Sequence, residues 1–261
     1  MDSREEIERT LIRAGVYDEE IMIQSEFERS AMLLGEEKLE KLSHCRVALF
    51  GLGGVGGAAL EALARSGIGE FHLIDADSFA LSNINRQLLA SHVTIGQKKV
   101  DIGKQRILQI NENAKVFTYP TFYLPGDTSI PFDQFDIVID AIDTVTAKVA
   151  IAEECHLRGI PEVMCLGMGN RMDPSKVRIG DLYETSGDPL AKIMRKKCRE
   201  LGINSLSVVY SVEEPMEPLF KVESDSPSRR DVPGSLPFVP PVAGYSLAYE
   251  AVRILLEKLE A

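Results

Sequence analysis

Residues Val47–Gly57 read VALFGLGGVGG, an apolar run that meets five glycines among seven residues from Gly51. This stretch constrains the fold more than any other. Arg46–Phe50 has the length and composition of a buried strand. Val55–Ser66 reads as a helix rich in small residues, with Gly57, Ala58, Ala59, Ala62 and Ala64. Between them stands Gly51-x-Gly53-x-x-Gly56. In a strand–turn–helix setting these glycines allow a tight turn, close approach of backbone to a phosphate chain, and close helix–sheet packing. The helix N-terminus adds unpaired N–H groups and the positive end of a dipole, both suited to an anion.

The rest of the chain repeats the alternation. Glu70–Asp77, Lys115–Tyr119, Phe135–Asp143 and Glu162–Gly169 read as strands. Gly96–Ile110 and Thr144–Arg158 read as helices between them, and Ser25–Leu42 as a helix before the first strand. The all-apolar centre of FDIVIDAID suits a parallel strand covered on both faces. The expected fold class is therefore α/β, a Rossmann-like, doubly wound, mainly parallel sheet.

After Asp173-Pro174 the rhythm changes. KVRIGDLY and LSVVYSVEE look like strands flanking a basic helix, Pro189–Leu201, and Ser224–Pro241 reads as a proline-rich loop. Tyr245–Leu259 closes the chain as an amphipathic helix. We expect three divisions: an N-terminal helical extension (1–25) opened by a capping box at Ser3–Glu6, a nucleotide-binding domain (26–175), and a smaller α+β extension (176–261).

Bulk properties narrow the function classes. No apolar run reaches the roughly 18 residues of a membrane span, and Met1–Arg13 is charged throughout, so a cytoplasmic protein without membrane contact is expected. Cys45, Cys155, Cys165 and Cys198 form no C-x-x-C pair, which supports neither a disulfide framework nor a four-thiolate zinc site. Cys198 lies between Lys197 and Arg199, a setting that can lower a thiol pKa; we read it as incidental. The net charge of −11 argues against broad nucleic-acid binding, not against a local basic surface.

Asp75 follows Gly56 by 19 residues, at the end of the second strand. A carboxylate there can accept hydrogen bonds from both ribose hydroxyls. That much fits the adenosine of NAD, FAD or ATP. Arg86, Lys98 and Lys99 favour ATP, because about four negative charges must be offset and a pyrophosphate must leave, whereas a nicotinamide needs a largely apolar cleft. Asp140 and Asp143 end the fourth strand, at the edge where such sheets bind ligands. Mg²⁺ takes one or two protein carboxylates plus phosphate oxygens. Asp143, further out, is the better metal candidate; Asp140 is the more structural of the two.

Taken together, Gly51-x-Gly53-Gly54-x-Gly56, Asp75, Asn83-x-x-Arg86-Gln87, Gly96-Gln97-x-Lys99 and Asp140-x-x-Asp143 resemble the ThiF/MoeB/HesA branch of the ubiquitin-activating superfamily, whose members adenylate a carboxylate. The resemblance implies that Asp75 holds the ribose, that Asn83, Arg86 and Lys99 grip the phosphates with Gln87 beside them, and that Asp143 carries Mg²⁺. It maps an arginine supplied to the opposite subunit's ATP onto Arg29, in FERSAMLLG, and so implies a homodimer.

Branch members that activate ubiquitin-like carriers usually carry two C-x-x-C pairs and a nucleophilic cysteine; this chain has no C-x-x-C pair, which argues against thioester chemistry through a family cysteine. Met172–Ile203, Val208–Pro215 and Pro237–Gly244 instead resemble the subgroup that dehydrates threonylcarbamoyladenosine in tRNA, and the likeness then runs from residue 26 onward. It implies ATP and Mg²⁺, leaves room for a monovalent cation and a sulfur-transfer protein, and makes tRNA the partner. Lys192, Arg195, Lys196, Lys197 and Arg199 place five cations in eight residues. At helical spacing Lys192, Arg195, Lys196 and Arg199 share one face that can track a phosphate backbone, and Arg229-Arg230 can add to it. The alternatives are an adenylyltransferase acting on the C-terminus of a sulfur-carrier protein, a nucleotide sensor without chemistry and, more distantly, a dehydrogenase.

Overall fold

The computed structural model describes residues 26–220 and 233–260 of the 261-residue chain. The capping box at Ser3–Glu6 and Arg229-Arg230 lie outside the described residues. The chain divides into two compact units, one ending at Glu40 and the other spanning Lys41–Ala261.

In the first unit the single helix expected over 25–42 is two. Helix α1 (Glu28–Leu34) ends at Gly35, whose φ of +81° is the left-handed conformation that suits glycine and stops a helix. Helix α2 (Glu36–Ser43) begins on the next residue and runs into the second unit.

The second unit is built on a seven-stranded sheet. In chain order it contains β1 (Arg46–Phe50), α3 (Gly54–Arg65), β2 (Glu70–Ile74), α4 (Lys99–Ile110), β3 (Lys115–Tyr119), β4 (Ile137–Asp140), α5 (Val145–Arg158), β5 (Glu162–Cys165), β6 (Val177–Asp181), α6 (Pro189–Glu200), β7 (Ser207–Ser211) and α7 (Val239–Glu260). Across the sheet the strands run β3-β2-β1-β4-β5-β7-β6. All neighbours are parallel except β6 and β7. Residues 176–261 thus add two strands to the same sheet rather than forming a separate one.

The strands are shorter than the apolar runs that announced them. β2 stops at Ile74, β4 at Asp140 and β5 at Cys165, so Asp75, Asp77 and Asp143 fall in the loops beyond. Val47, Ala48, Leu49 and Phe50 of β1 and Ile137, Val138 and Ile139 of β4 have no exposed surface, as both faces are covered. Over one region of the sheet the rings of Phe50, Tyr123 and Phe132 touch one another, and Phe135 packs on Phe132. In another, Met164, Leu182, Ala191, Met194, Cys198 and Val208 form a second cluster.

The last helix begins at Val239, inside the stretch read from sequence as a loop. Pro240 and Pro241 occupy its first turn, where a missing N–H costs nothing. It lies along α3, and Gly244 makes the close approach possible: a Cβ there would stand 2.2 Å from Val55 O and 2.7 Å from Ala58 Cβ.

Candidate active site

The chain runs from β1 outward to β2 and β3 on one side, then returns to β4 and β5 on the other. The direction reverses between β1 and β4, and at such a point the loops leaving the strands part to form a crevice. Phe50 pairs in register with Ile74 on one side and Asp140 on the other. The ladder continues one residue further, with Gly51 N donating to Ile74 O at 2.8 Å and Ala141 N to Phe50 O at 2.8 Å. Gly51 therefore emerges between Asp75 and Ala141.

A cavity of about 590 Å³ occupies that crevice. Its walls come from the loop after β1 (Gly51, Gly53, Gly54), the loop after β2 (Asp75–Ser78), the 80–87 turn, the start of α4 (Lys99), the loop after β3 (Thr121–Leu124) and the loop after β4 (Ala141–Thr144). Two glycines are sterically required in the turn. Gly51 has φ +87°, and a Cβ on it would meet Ala141 O at 2.8 Å; a Cβ on Gly56 would stand 1.8 Å from Gly51 O. The turn folds back on itself so closely that only hydrogen fits.

Asp75 ties this turn to β2. Its Oδ2 accepts from Leu52 N at 2.6 Å and its Oδ1 from Asp77 N at 2.8 Å. Lys99 is buried; its Nζ lies 2.9 Å from Asp77 Oδ2 and 3.7 Å from Asp75 Oδ2. Arg86 differs. Its guanidinium donates to Ser82 O at 2.8 Å and Asn85 Oδ1 at 2.9 Å, makes no ion pair among the described residues, and has its pKa lowered by burial. Asn83 Oδ1 accepts from Ala80 N at 3.1 Å, which shapes the turn carrying Arg86. Gln87 is buried, lines the cavity, and among the described residues has no hydrogen-bond partner for its Oε1. A buried carbonyl of this kind calls for a donor, which a nucleoside's hydroxyl or amino groups can supply.

The two carboxylates after β4 part ways. Asp143 is exposed and lines the cavity. Asp140 is fully buried, 3.0 Å from the Lys148 ammonium, and accepts from Ile142 N at 3.1 Å. Asp140 is thus committed to holding the loop, and Asp143 is the one of the two that lines the cavity. Arg29 stands exposed on α1 of the first unit.

Of the basic cluster, Lys192, Lys196, Lys197 and Arg199 are exposed on α6 while Ala191, Met194 and Cys198 face inward. Asp188 caps the helix, its Oδ1 accepting from Leu190 N at 2.8 Å. The shared cationic face expected from sequence is narrower in the structure. Arg195 is half-buried and donates to Thr185 O at 2.9 Å and to Thr185 Oγ1. The Arg199 guanidinium lies over the Tyr183 ring at 5.1 Å, and Lys196 and Lys197 reach Glu200 at 4.0 and 3.0 Å. Lys192 makes no ion pair among the described residues.

The four thiols are all buried and free. Burial raises Cys45 to about 11 and Cys165 and Cys198 to about 12. Cys198 points into the core, so the flanking cations do not activate it.

Sequence reasoning passed over Asp77, the Thr121–Leu124 wall, and the buried Lys148 and Glu162. Asp77 carried a readable signal, a second carboxylate two residues after Asp75. Lys148 carried none, because a lysine on an amphipathic helix reads as solvent-facing.

The likenesses to known proteins extend over most of the chain. It is 40% identical over 248 residues to the tRNA threonylcarbamoyladenosine dehydratase of Bacillus subtilis, covering 90% of this chain and 96% of that protein. The Escherichia coli tRNA N6-threonylcarbamoyladenosine dehydratase TcdA, solved with AMP, superposes with a TM-score of 0.82 at 31% identity, covering 91% of this chain and 96% of that one. The same enzyme solved with ATP gives 0.81 at 30% identity over the same shares. The ThiF family matches residues 27–261, and we conclude that this chain belongs to it.

Proposed function

We propose that this protein is an ATP-dependent tRNA threonylcarbamoyladenosine dehydratase. It adenylates the threonine carboxylate of the modified adenosine and releases the product after ring closure. The observation that carries the reading is the convergence of the glycine turn, Asp75, Arg86, Lys99 and Asp143 on one cavity at the switch point. The choice of substrate rests on the dehydratases it resembles over nine-tenths of its length.

In this reading the substrate carboxylate oxygen attacks the α-phosphorus of ATP, and the bond to the bridging oxygen breaks to release pyrophosphate. The glycine turn presents backbone N–H groups to the phosphates, Asp75 takes the ribose hydroxyls, and Arg86 and Lys99 offset charge that grows on the departing oxygens. Arg29 does the same for a partner subunit's nucleotide, in a homodimer. The residues fit a magnesium ion borne by the nucleotide. Asp143 offers one carboxylate, and no group of three or more His, Cys, Asp or Glu among the described residues could cage a metal alone. Asp143 would hold the ion, which when bound neutralises pyrophosphate charge.

The acyl-adenylate then reacts within the substrate. A nucleophilic atom of the same modification attacks the acyl carbon, loses its proton, and AMP departs with the former carboxylate oxygen; water is lost overall. An intramolecular attack needs positioning rather than a protein nucleophile, in keeping with the buried thiols. Lys192 and Lys196 on α6 contribute to a tRNA-facing surface. No helix among the described residues is long and apolar enough to cross a membrane, and we place this chemistry in the cytoplasm, with its tRNA substrate.

The test is mass spectrometry of tRNA nucleosides after incubation with protein, ATP and Mg²⁺. Threonylcarbamoyladenosine loses the mass of one water, with AMP and pyrophosphate formed in equal amounts. AMP formation that needs a carrier protein's C-terminus and ignores tRNA would defeat the proposal.

A further inference from the structure

The two cations in the cavity wall are not in equivalent states. Arg86 has no carboxylate partner among the described residues, whereas Lys99 Nζ is 2.9 Å from Asp77 Oδ2. To act on a phosphate, Lys99 must leave that carboxylate. The backbone around it is fixed. Lys99 N donates to Asp77 O at 3.1 Å, Phe79 N to Gln97 O at 3.0 Å and Gly96 N to Phe79 O at 2.8 Å, and Lys98 Nζ donates to Ala76 O at 2.7 Å. These bonds lock the loop after β2 to the start of α4, so a change of partner falls to the Lys99 side chain.

The two carboxylates beside Lys99 differ in how readily they can release it. The Asp75 side chain is 8% exposed, and its two oxygens take the N–H groups of Leu52 and Asp77. The Asp77 side chain is 41% exposed, and its carboxylate has no hydrogen bond except that from Lys99 among the described residues. Water can therefore solvate Asp77 once the ammonium has left it, whereas the ammonium, whose side chain is 7% exposed, needs another anion to receive it. The wall as a whole holds three carboxylates, Asp75, Asp77 and Asp143, against Arg86 and Lys99. A polyphosphate entering it meets carboxylates that outnumber the cations by one, and the Lys99 ammonium offsets phosphate charge at close range only when it turns from Asp77 toward the nucleotide.

We propose that Asp77 is a displaceable counter-ion for Lys99: it holds the ammonium at the wall and yields it to a phosphate of the incoming nucleotide, so that Asp77 weakens and thereby sets the affinity for ATP. This rests on the reading of the cavity as an ATP site and adds a positioning residue to it. Asp77 acts through Lys99 and need not touch the nucleotide.

The experiment is calorimetric binding of ATP and of adenosine to the full-length protein and to Asp77→Asn, Lys99→Met and the double variant. Asp77→Asn is expected to tighten ATP binding by about two- to fivefold, from loss of the ion pair that the Lys99 ammonium must otherwise leave. It leaves adenosine unchanged, since adenosine has no phosphate to receive the ammonium. In the Lys99→Met background Asp77→Asn has no effect on ATP. Asp77→Ser gives the same comparison if the asparagine variant folds poorly. Weaker or unchanged ATP binding in Asp77→Asn overturns the proposal, and so does a gain that persists without Lys99 or extends to adenosine. Wild-type protein that binds adenosine and ATP equally, or neither, defeats the ATP reading itself and is seen before any variant is compared.

Discussion

The Lys148 ammonium lies 3.0 Å from Asp140 Oδ1, and neither side chain has any exposed surface. Lys148 also donates to Cys165 O at 2.7 Å, so one cation from α5 fastens the ends of β4 and β5. Asp140 in turn accepts from Ile142 N, which orients the loop that offers Asp143. Removing one member of a buried pair strands the other as an unpaired charge. Lys148→Met is expected to cost about 3–5 kcal/mol, measured by urea unfolding, and Asp140→Asn added to it should recover a good part. A single variant within 1 kcal/mol (about 5-fold in the unfolding equilibrium) of wild type would show that the pair carries no such role.

Glu162 is a second buried carboxyl beside this pair. Burial, reinforced by the charge of Asp140, holds its pKa well above the ordinary value, and its Oε1 has no hydrogen-bond partner among the described residues. One ammonium cannot balance two carboxylates, so Glu162 holds its proton to higher pH than an exposed glutamate does. A carboxyl that binds its proton more tightly when folded adds stability below its unfolded pKa, about 4.3. That stability is lost as pH rises toward the folded value. Glu162→Gln does not titrate. The stability of the variant relative to wild type should therefore climb with pH above about 4.3, by at most about 1.4 kcal/mol per pH unit. Thermal unfolding of both proteins from pH 4 to 8 checks it, and a flat difference would contradict the assignment.

Adjacent glycines in the turn should respond oppositely to alanine. A Cβ on Gly56 meets the backbone oxygen of Gly51 at 1.8 Å, whereas on Gly57 the nearest atom is Leu89 Cγ at 3.7 Å. Gly56→Ala must open the turn and is expected to cost about 3 kcal/mol or more. Gly57→Ala sits in α3 with ordinary contacts and should stabilise by about 0.5–1 kcal/mol. Denaturant midpoints of the two variants separate these outcomes.

That contrast also shows what sequence could reveal. The motif marked Gly51, Gly53 and Gly56 as one turn because a strand ran into it and small residues followed. The doubly wound, mainly parallel sheet was accessible for the same reason, since alternation of strand and helix permits few topologies. The cavity walls after β1, β2 and β4 were legible from Gly51, Asp75 and Asp143. Partner choice was not. Nothing in the spacing says that Lys99 rests against Asp77, that Arg195 turns inward to Thr185, or that Asp140 is consumed by Lys148, because each depends on side chains brought together by packing. The helix break at Gly35 and the helical start at Val239 were missed for a local reason: apolar spacing ran on through the first, and prolines disguised the second.

Asp143 and Arg86 should govern chemistry more than nucleoside binding. Asp143 is the exposed carboxylate of the cavity wall and Arg86 the cation without a carboxylate partner among the described residues. Asp143→Ala and Arg86→Ala are expected to lower AMP formation by at least about 10²-fold, the scale of losing one charge-stabilising group at a developing anion, while adenosine affinity stays within about twofold. Turnover near wild type in either variant would remove that residue from the reaction.

The basic helix makes a prediction that separates RNA contact from structure. Lys192 and Lys196 are exposed on α6, whereas Arg195 is spent on Thr185. If the exposed lysines meet phosphates, each releases counterions on binding. Lys192→Glu/Lys196→Glu should then weaken tRNA binding and flatten the plot of log affinity against log salt by roughly 1.4–1.8, for two contacts at about 0.7–0.9 each. ATP affinity should not change, because the cavity wall contains neither lysine. Arg195→Ala should behave differently. It loses the bonds that tie α6 to the turn at Thr185, costing about 1–2 kcal/mol of stability, and leaves the salt slope close to that of wild type. Filter binding of tRNA across a salt series, beside unfolding curves for the same proteins, measures both. A salt slope that falls in Arg195→Ala and stays put in the lysine variant would reverse which side of the helix faces RNA.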